Sequence, residues 1–197
     1  MLSTAGTQPR PVEEDPGGDA AFVAAAKRDP DAFALMYRRY ERRIFAYCLR
    51  RLGDPSAAED ATTLIFARAF TKLASCDERR FRAWLFTIAH NVIADGFRGP
   101  KRPEFPLDDA VAVVDPAAGP EMTALASEAG RELALLLGRL PTDQRRVVEL
   151  CLAGLTGPEI AIVLNRSHDA VKKLQGRALA KLRELVADHP EFSGRSR

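Results

Sequence analysis

Residues 152–186 read "LAGLTGPEIAIVLNRSHDAVKKLQGRALAKLRELV", and their breaks and caps decide the fold. Gly154 stops a preceding helix. Thr156 and Glu159 have capping-box spacing, and Pro158 falls in the first turn, where its missing N–H costs nothing. The short run "PEIAIVL" breaks at Asn165-Arg166, and Ser167 is placed to cap a long helix from His168. Asn tolerates a left-handed conformation, so a tight turn can form there. Short helix, tight turn, and long helix with basic residues near its start make a helix-turn-helix layout.

On the long helix Val171, Leu174, Ala178, Leu182 and Leu185 recur at threes and fours and should turn inward. Asp169, Lys172, Lys173, Gly176, Arg177 and Ala180 spread across the outer side. Lys172, Lys173 and Arg177 reach phosphates or base edges from there, which favours DNA contact over a merely solvated basic face. Gly176 lets the backbone approach closely, a reason for a residue that costs about 1 kcal/mol mid-helix against alanine. Upstream, "DQRRVVELCLAG" (143–154) predicts another helix with Val147, Leu150 and Cys151 as its apolar stripe.

The first half is helical by the same rule. Phe33, Tyr37, Tyr40, Ile44, Tyr47 and Cys48 recur at threes and fours, with arginine pairs 38-39, 42-43 and 50-51 largely between them. Those arginines suit a solvated face as well as nucleic acid. Gly53-Asp54-Pro55 ends that helix, and Ser56 with Glu59 has capping-box spacing for the next. There Thr62, Phe66, Ala69 and Leu73 form the expected core stripe. Asp60, Leu64, Ala67 and Thr71 lie roughly opposite, with Thr63 on the border. A third helix within "ERRFRAWLFTIAHNVIADGFRG" (78–99) should bury Phe81, Leu85, Ile88 and Val92, with Trp84 read as core beside them.

Charge is divided along the chain. Residues 20–102 carry 16 basic and 9 acidic groups, residues 103–143 carry 2 and 8, and residues 144–197 carry 10 and 6. Two basic blocks joined by an acidic, proline-rich stretch predict two small helical domains on a tether, with a long polyanion as ligand. The expected fold is all-α. The expected divisions are a disordered leader (1–19), a first domain (20–102), a linker (103–134), a helix-turn-helix domain (135–187) and a tail (188–197).

Other classes fit poorly. His90, His168 and His189 are isolated, and no glycine-rich phosphate loop or metal-spaced carboxylate–histidine set occurs. An enzyme, a cofactor and a metal site are therefore not expected. No run of 18 apolar residues predicts membrane insertion, and the first residues lack the apolar core of a signal peptide. Cys48, Cys76 and Cys151 are far apart and form no CxxC, as expected of reduced thiols in the cytoplasm.

Three strings, "AEDATTLIFARAF", "FRAWLFTIAHNVIADGFR" and residues 140–185, together resemble an extracytoplasmic-function (ECF) sigma factor of bacterial RNA polymerase. The resemblance covers residues 20–102 (the family's second region) and 135–187 (its fourth). It implies docking on core RNA polymerase, at its β′ coiled-coil and β flap, and on promoter DNA. The positions matching −35 recognition are Lys172, Lys173, Gly176 and Arg177, with Arg166 beside them. For the −10 element they are Asn91, with His90, Arg98, Lys101 and Arg102 as candidate backbone contacts. The loop "SCDERR" (75–80), with Arg79 and Arg80, matches the segment that pockets an unstacked base. A stand-alone DNA-binding regulator would leave the second of these strings idle, and a sigma-like protein that does not initiate is the third alternative.

The sequence departs from the family on the polymerase-docking face, expected at Asp60, Thr63, Leu64 and Ala67. Usual members carry Gln at the position of Thr63 and an acid at that of Leu64. Weaker docking follows, because interface charge pairs set steering and register. One expectation is an apolar contact from Leu64. The other is that phosphorylation of Thr63, or of the inward-tending Thr62, adds roughly −1.5 to −2 charges, making a Ser/Thr protein kinase the switch in place of an anti-sigma factor. At the recognition end Asn165, Asp169 and Ala170 also depart from the family, and a shifted or weakened −35 preference is expected.

Overall fold

The computed structural model describes residues 16–96 and 128–188. Eight α-helices carry them: α1 Pro16–Arg28, α2 Phe33–Leu52, α3 Pro55–Lys72, α4 Phe81–Gly96, α5 Glu128–Gly138, α6 Thr142–Leu152, α7 Gly157–Leu164 and α8 His168–Ala187. Single 3-10 turns at Pro30–Ala32, Leu73–Ser75 and Glu78–Arg80 join them. No strand occurs among the described residues, so the fold is all-α.

The first unit is α1–α4. Tyr40, Ile44, Tyr47 and Cys48 are buried on α2, while Ala58, Ala61, Thr62, Ile65, Phe66 and Ala69 are buried on α3. Aromatic rings lock the helices together, with Tyr47 edge-on to Phe86 at 5.5 Å and Tyr40 edge-on to Phe81 at 5.4 Å. Trp84 is half-buried and packs 5.7 Å from Phe81, in keeping with a core role. Ile88, expected in the core, is half-buried at its edge.

Three local readings are corrected. Helix α1 already includes residues 16–19, inside the segment expected as leader: Asp19 pairs with Arg39 at 2.9 Å and accepts the Tyr40 hydroxyl. Burial and this bond push the Tyr40 phenol above its ordinary value. At the start of α3, Asp54, not Ser56, caps the helix. Its carboxylate accepts from the Ala57 N–H at 2.7 Å, and Pro55 supplies the first turn. Gly53 ends α2 with φ of 70°, so the whole Gly-Asp-Pro triplet serves the corner. On α6, Cys151 is exposed and Glu149 is buried instead.

The second unit is α5–α8, with α5 starting inside the segment read as linker. Leu137, Leu140 and Ala178, backed by Leu133, Val148 and Leu182, hold α5 and α6 on α8. The two units meet. Helix α4 lies along α7 and α2 touches α6, so one apolar cluster runs from Val23 in α1 to Val171 in α8.

Candidate nucleic-acid and polymerase interface

The helix-turn-helix is built as its sequence dictates. The Glu159 carboxylate accepts both the Thr156 backbone N–H and the Thr156 hydroxyl at 2.7 Å, closing the first turn of α7. Asn165 ends α7 in the left-handed region at φ 50°. It is the non-glycine residue with positive φ among those described. Ser167 then accepts the Ala170 N–H at 3.2 Å and starts α8. The two helices approach closely at the turn, for a Cβ on Gly157 would lie 2.9 Å from His168 Nε2.

Val171 and Ala178 are buried, Leu174, Leu182 and Leu185 are half-buried, and Asp169, Lys172, Lys173, Gly176, Arg177 and Ala180 are exposed. One face of α8 thus carries three cations within two turns. A Cβ on Gly176 would meet nothing within 4 Å, so this glycine leaves open space on that face. Arg166 is exposed but bound to Asp143 at 2.7 Å. A phosphate would compete with that carboxylate for the guanidinium.

In the first unit Asn91 is exposed on α4, one residue from His90. His90 is half-buried where α4 faces α2 and α6. Burial, then the nearby Arg51 and Arg146 charges, lower its pKa from 6.5 to about 4. The imidazole is therefore neutral near pH 7 and gives a phosphate no charge in this arrangement. Arg79 and Arg80 are exposed on the 3-10 turn before α4, where Asp77 caps the turn at the Arg79 N–H, 3.0 Å away. Lys27 fixes this loop from α1 by donating to the Cys76 carbonyl at 2.7 Å. Arg98, Lys101 and Arg102 lie outside the described residues.

The polymerase-docking candidates share one outward face of α3. Asp60, Thr63, Leu64, Ala67 and Thr71 are all exposed, Leu64 at 44%. The two threonines differ sharply. Thr62 is 4% exposed and its hydroxyl donates to the Ala58 carbonyl at 2.7 Å, so a kinase cannot reach it while α3 is folded. Thr63 is open to solvent.

Sequence reasoning missed the charged seam between the units. Arg82 of α4 grips Glu159 of α7 with two nitrogens, at 2.8 and 2.9 Å. Burial raises the Glu159 pKa, but the Arg82 hydrogen bond and the two Thr156 donors more than offset it, leaving a net depression. Glu149 of α6 is fully buried between Arg51 of α2 (3.1 Å) and Arg145 of its own helix (2.7 Å). Arg145 also donates to the Arg50 carbonyl at 3.2 Å. A glutamate amid apolar neighbours was the available signal for Glu149, although nothing local names its partner.

Comparison with known proteins agrees with this geometry. The family profile "Sigma-70 region 2" matches residues 36–102, and "Sigma-70, region 4" matches residues 130–182. The ECF RNA polymerase sigma factor BldN of Streptomyces coelicolor is 33% identical over 164 residues, covering 81% of this chain and 62% of its own length. SigW of Bacillus subtilis is 32% identical over 174 residues, covering 82% of this chain and 92% of its own. The structure of CnrH in complex with the cytosolic domain of CnrY aligns with a TM-score of 0.66 at 30% identity, covering 89% of this chain and 99% of that one. With both regions matched in order, the chain belongs to the sigma-70 family, among its extracytoplasmic-function members.

Proposed function

We propose that this protein docks on core RNA polymerase through α3 and directs it to promoters. In this reading α8 reads the −35 element and α4, with the loop before it, captures the −10 element. The observation that supports this best is the pairing of two matched regions with outward-facing polar sets. Lys172, Lys173 and Arg177 face out from α8, and Asn91 faces out from α4. Phosphate contacts position such a protein and base-edge contacts specify its site. A location with the chromosome in the cytoplasm goes with this role, and the work is binding and positioning.

The docking face supports a regulated version. Asp60 is the acid among the expected docking positions, Leu64 places an apolar group where family members carry charge, and Thr63 is accessible between them, one turn after exposed Glu59. Phosphorylation of Thr63 by a Ser/Thr kinase would return negative charge to a surface meant for a basic partner. Control by an anti-sigma factor is the competing reading, motivated by CnrH having been solved bound to CnrY. The test is binding of labelled protein to core polymerase at moderate salt, comparing wild type with Thr63→Glu and Leu64→Glu. The regulated reading predicts weak wild-type binding that either acid tightens by about tenfold, a gain of ~1.4 kcal/mol. Wild type binding as tightly as both variants would reduce Thr63 to an ordinary helix residue. Binding by none of the three would return the chain to a plain DNA-binding regulator.

A further inference from the structure

We infer that Lys27, in the last turn of α1, is a positioning residue for −10 recognition, holding the loop 75–80 in the shape that receives an unstacked base. This rests on the reading of that loop and α4 as the −10 site. The Lys27 ammonium donates to the Cys76 carbonyl at 2.7 Å and pairs with the Glu78 carboxylate at 3.4 Å. It therefore grips the loop on both sides of Asp77, the residue that caps the Arg79 N–H. Helix α1 packs against both 3-10 turns that frame the loop, Leu73–Ser75 and Glu78–Arg80. The helix is itself fixed, since Val23 and Ala26 are buried in the core and Asp19 binds Arg39 and Tyr40. A cation in its last turn is also favoured by the helix dipole.

Cys76 is 3% exposed and anchors one end of the loop in the core, but a side chain does not fix the peptide that follows it. The Lys27 bond to the Cys76 carbonyl does, and the Lys27 side chain is only 25% exposed, so water competes poorly for it. A loop ordered before binding loses less entropy when a base enters. The ammonium also occupies Glu78. Asp77 is already paired with Arg80 at 3.6 Å, so without Lys27 a second carboxylate would compete with phosphate for Arg79 and Arg80. Extruding a base costs unstacking and unpairing energy. A loop that must be ordered and neutralised at the same moment captures less. The contact spans 49 residues, so no spacing in the sequence announces it.

The test uses the full chain bound to core polymerase and a pool of short single-stranded DNA of random sequence. Sequencing the bound fraction gives base preference, and competition against the enriched strand gives affinity. Wild type should enrich one short sequence. Lys27→Met should bind that strand about tenfold more weakly, as expected for one lost hydrogen bond from a charged group, and should flatten preference at one base position. Lys27→Arg keeps the charge and the donors and should recover both. Glu78→Gln keeps the carbonyl bond and should lose less than Lys27→Met. Ile44→Val thins the core of the same unit without removing a loop contact and should keep the wild-type preference. Binding to core polymerase should be equal in all of them. Wild-type affinity and preference in Lys27→Met overturns the inference alone. Equal flattening by Ile44→Val would reduce Lys27 to general stability, and an equal loss in Glu78→Gln would assign the effect to charge in place of loop shape. Either overturns positioning. If Lys27→Met loses helix by circular dichroism, Lys27→Ala takes its place. No enriched strand with wild type, in a complex that still holds core polymerase, overturns the −10 reading and the inference with it.

Discussion

Glu159 serves two structures at once, closing the first turn of α7 through Thr156 and holding α4 through Arg82. Its first role is readable from three-residue spacing, because a cap is satisfied within one turn. Its second is not, because Arg82 is 77 residues away and no local pattern announces it. Glu149 is the same case at greater separation, 98 residues from Arg51. Asn165 was legible, since few residues besides glycine accept the left-handed region. His90 carries a prediction at this scale. Its folded pKa of about 4 lies below the ordinary 6.5, so the unfolded chain binds the proton first as pH falls. The contribution is fully present above pH 6.5 and is lost on acidification toward pH 4. Urea unfolding across that window should show stability falling with pH, and His90→Asn should flatten the slope. An unchanged slope would mean that the imidazole is not held neutral by burial and the nearby Arg51 and Arg146.

Among the elements, α3 carries the face through which docking on core polymerase is proposed. Its burial stripe was legible because Thr62, Phe66, Ala69 and Leu73 repeat at helical intervals and are all buried. Its start was misread because two cap signals overlap, and only geometry chooses Asp54 over Ser56. Asp54→Ala should therefore destabilise the protein by about 1 kcal/mol, whereas Ser56→Ala should change it little. Denaturant midpoints with unchanged slopes would measure the difference. Equal costs for the two substitutions would contradict this cap. The outward face of α3 is equally informative: exposure separates Thr63 from Thr62 cleanly, where sequence alone left both as candidates for modification. On α8 the inward and outward sets were legible together, since both follow from one helical period. On α6 a single polar residue broke the pattern, and Cys151 was taken as core in place of Glu149.

At the scale of the whole molecule, composition separated two basic blocks by an acidic stretch but could not say how the blocks sit. They sit together, across a seam of buried carboxylates and arginines with apolar packing of α4 on α7. Like charge on the two blocks argues for separation, but where they meet Glu149 and Glu159 face arginines and an apolar cluster continues across the contact. The central claim, that this chain directs polymerase to promoters, is tested most directly by transcription from a genomic DNA library with purified core polymerase, with and without the protein. The account predicts transcripts that depend on the added chain and whose start sites share two upstream elements at fixed spacing. Duplex binding by the chain without any transcript above core polymerase alone would contradict it.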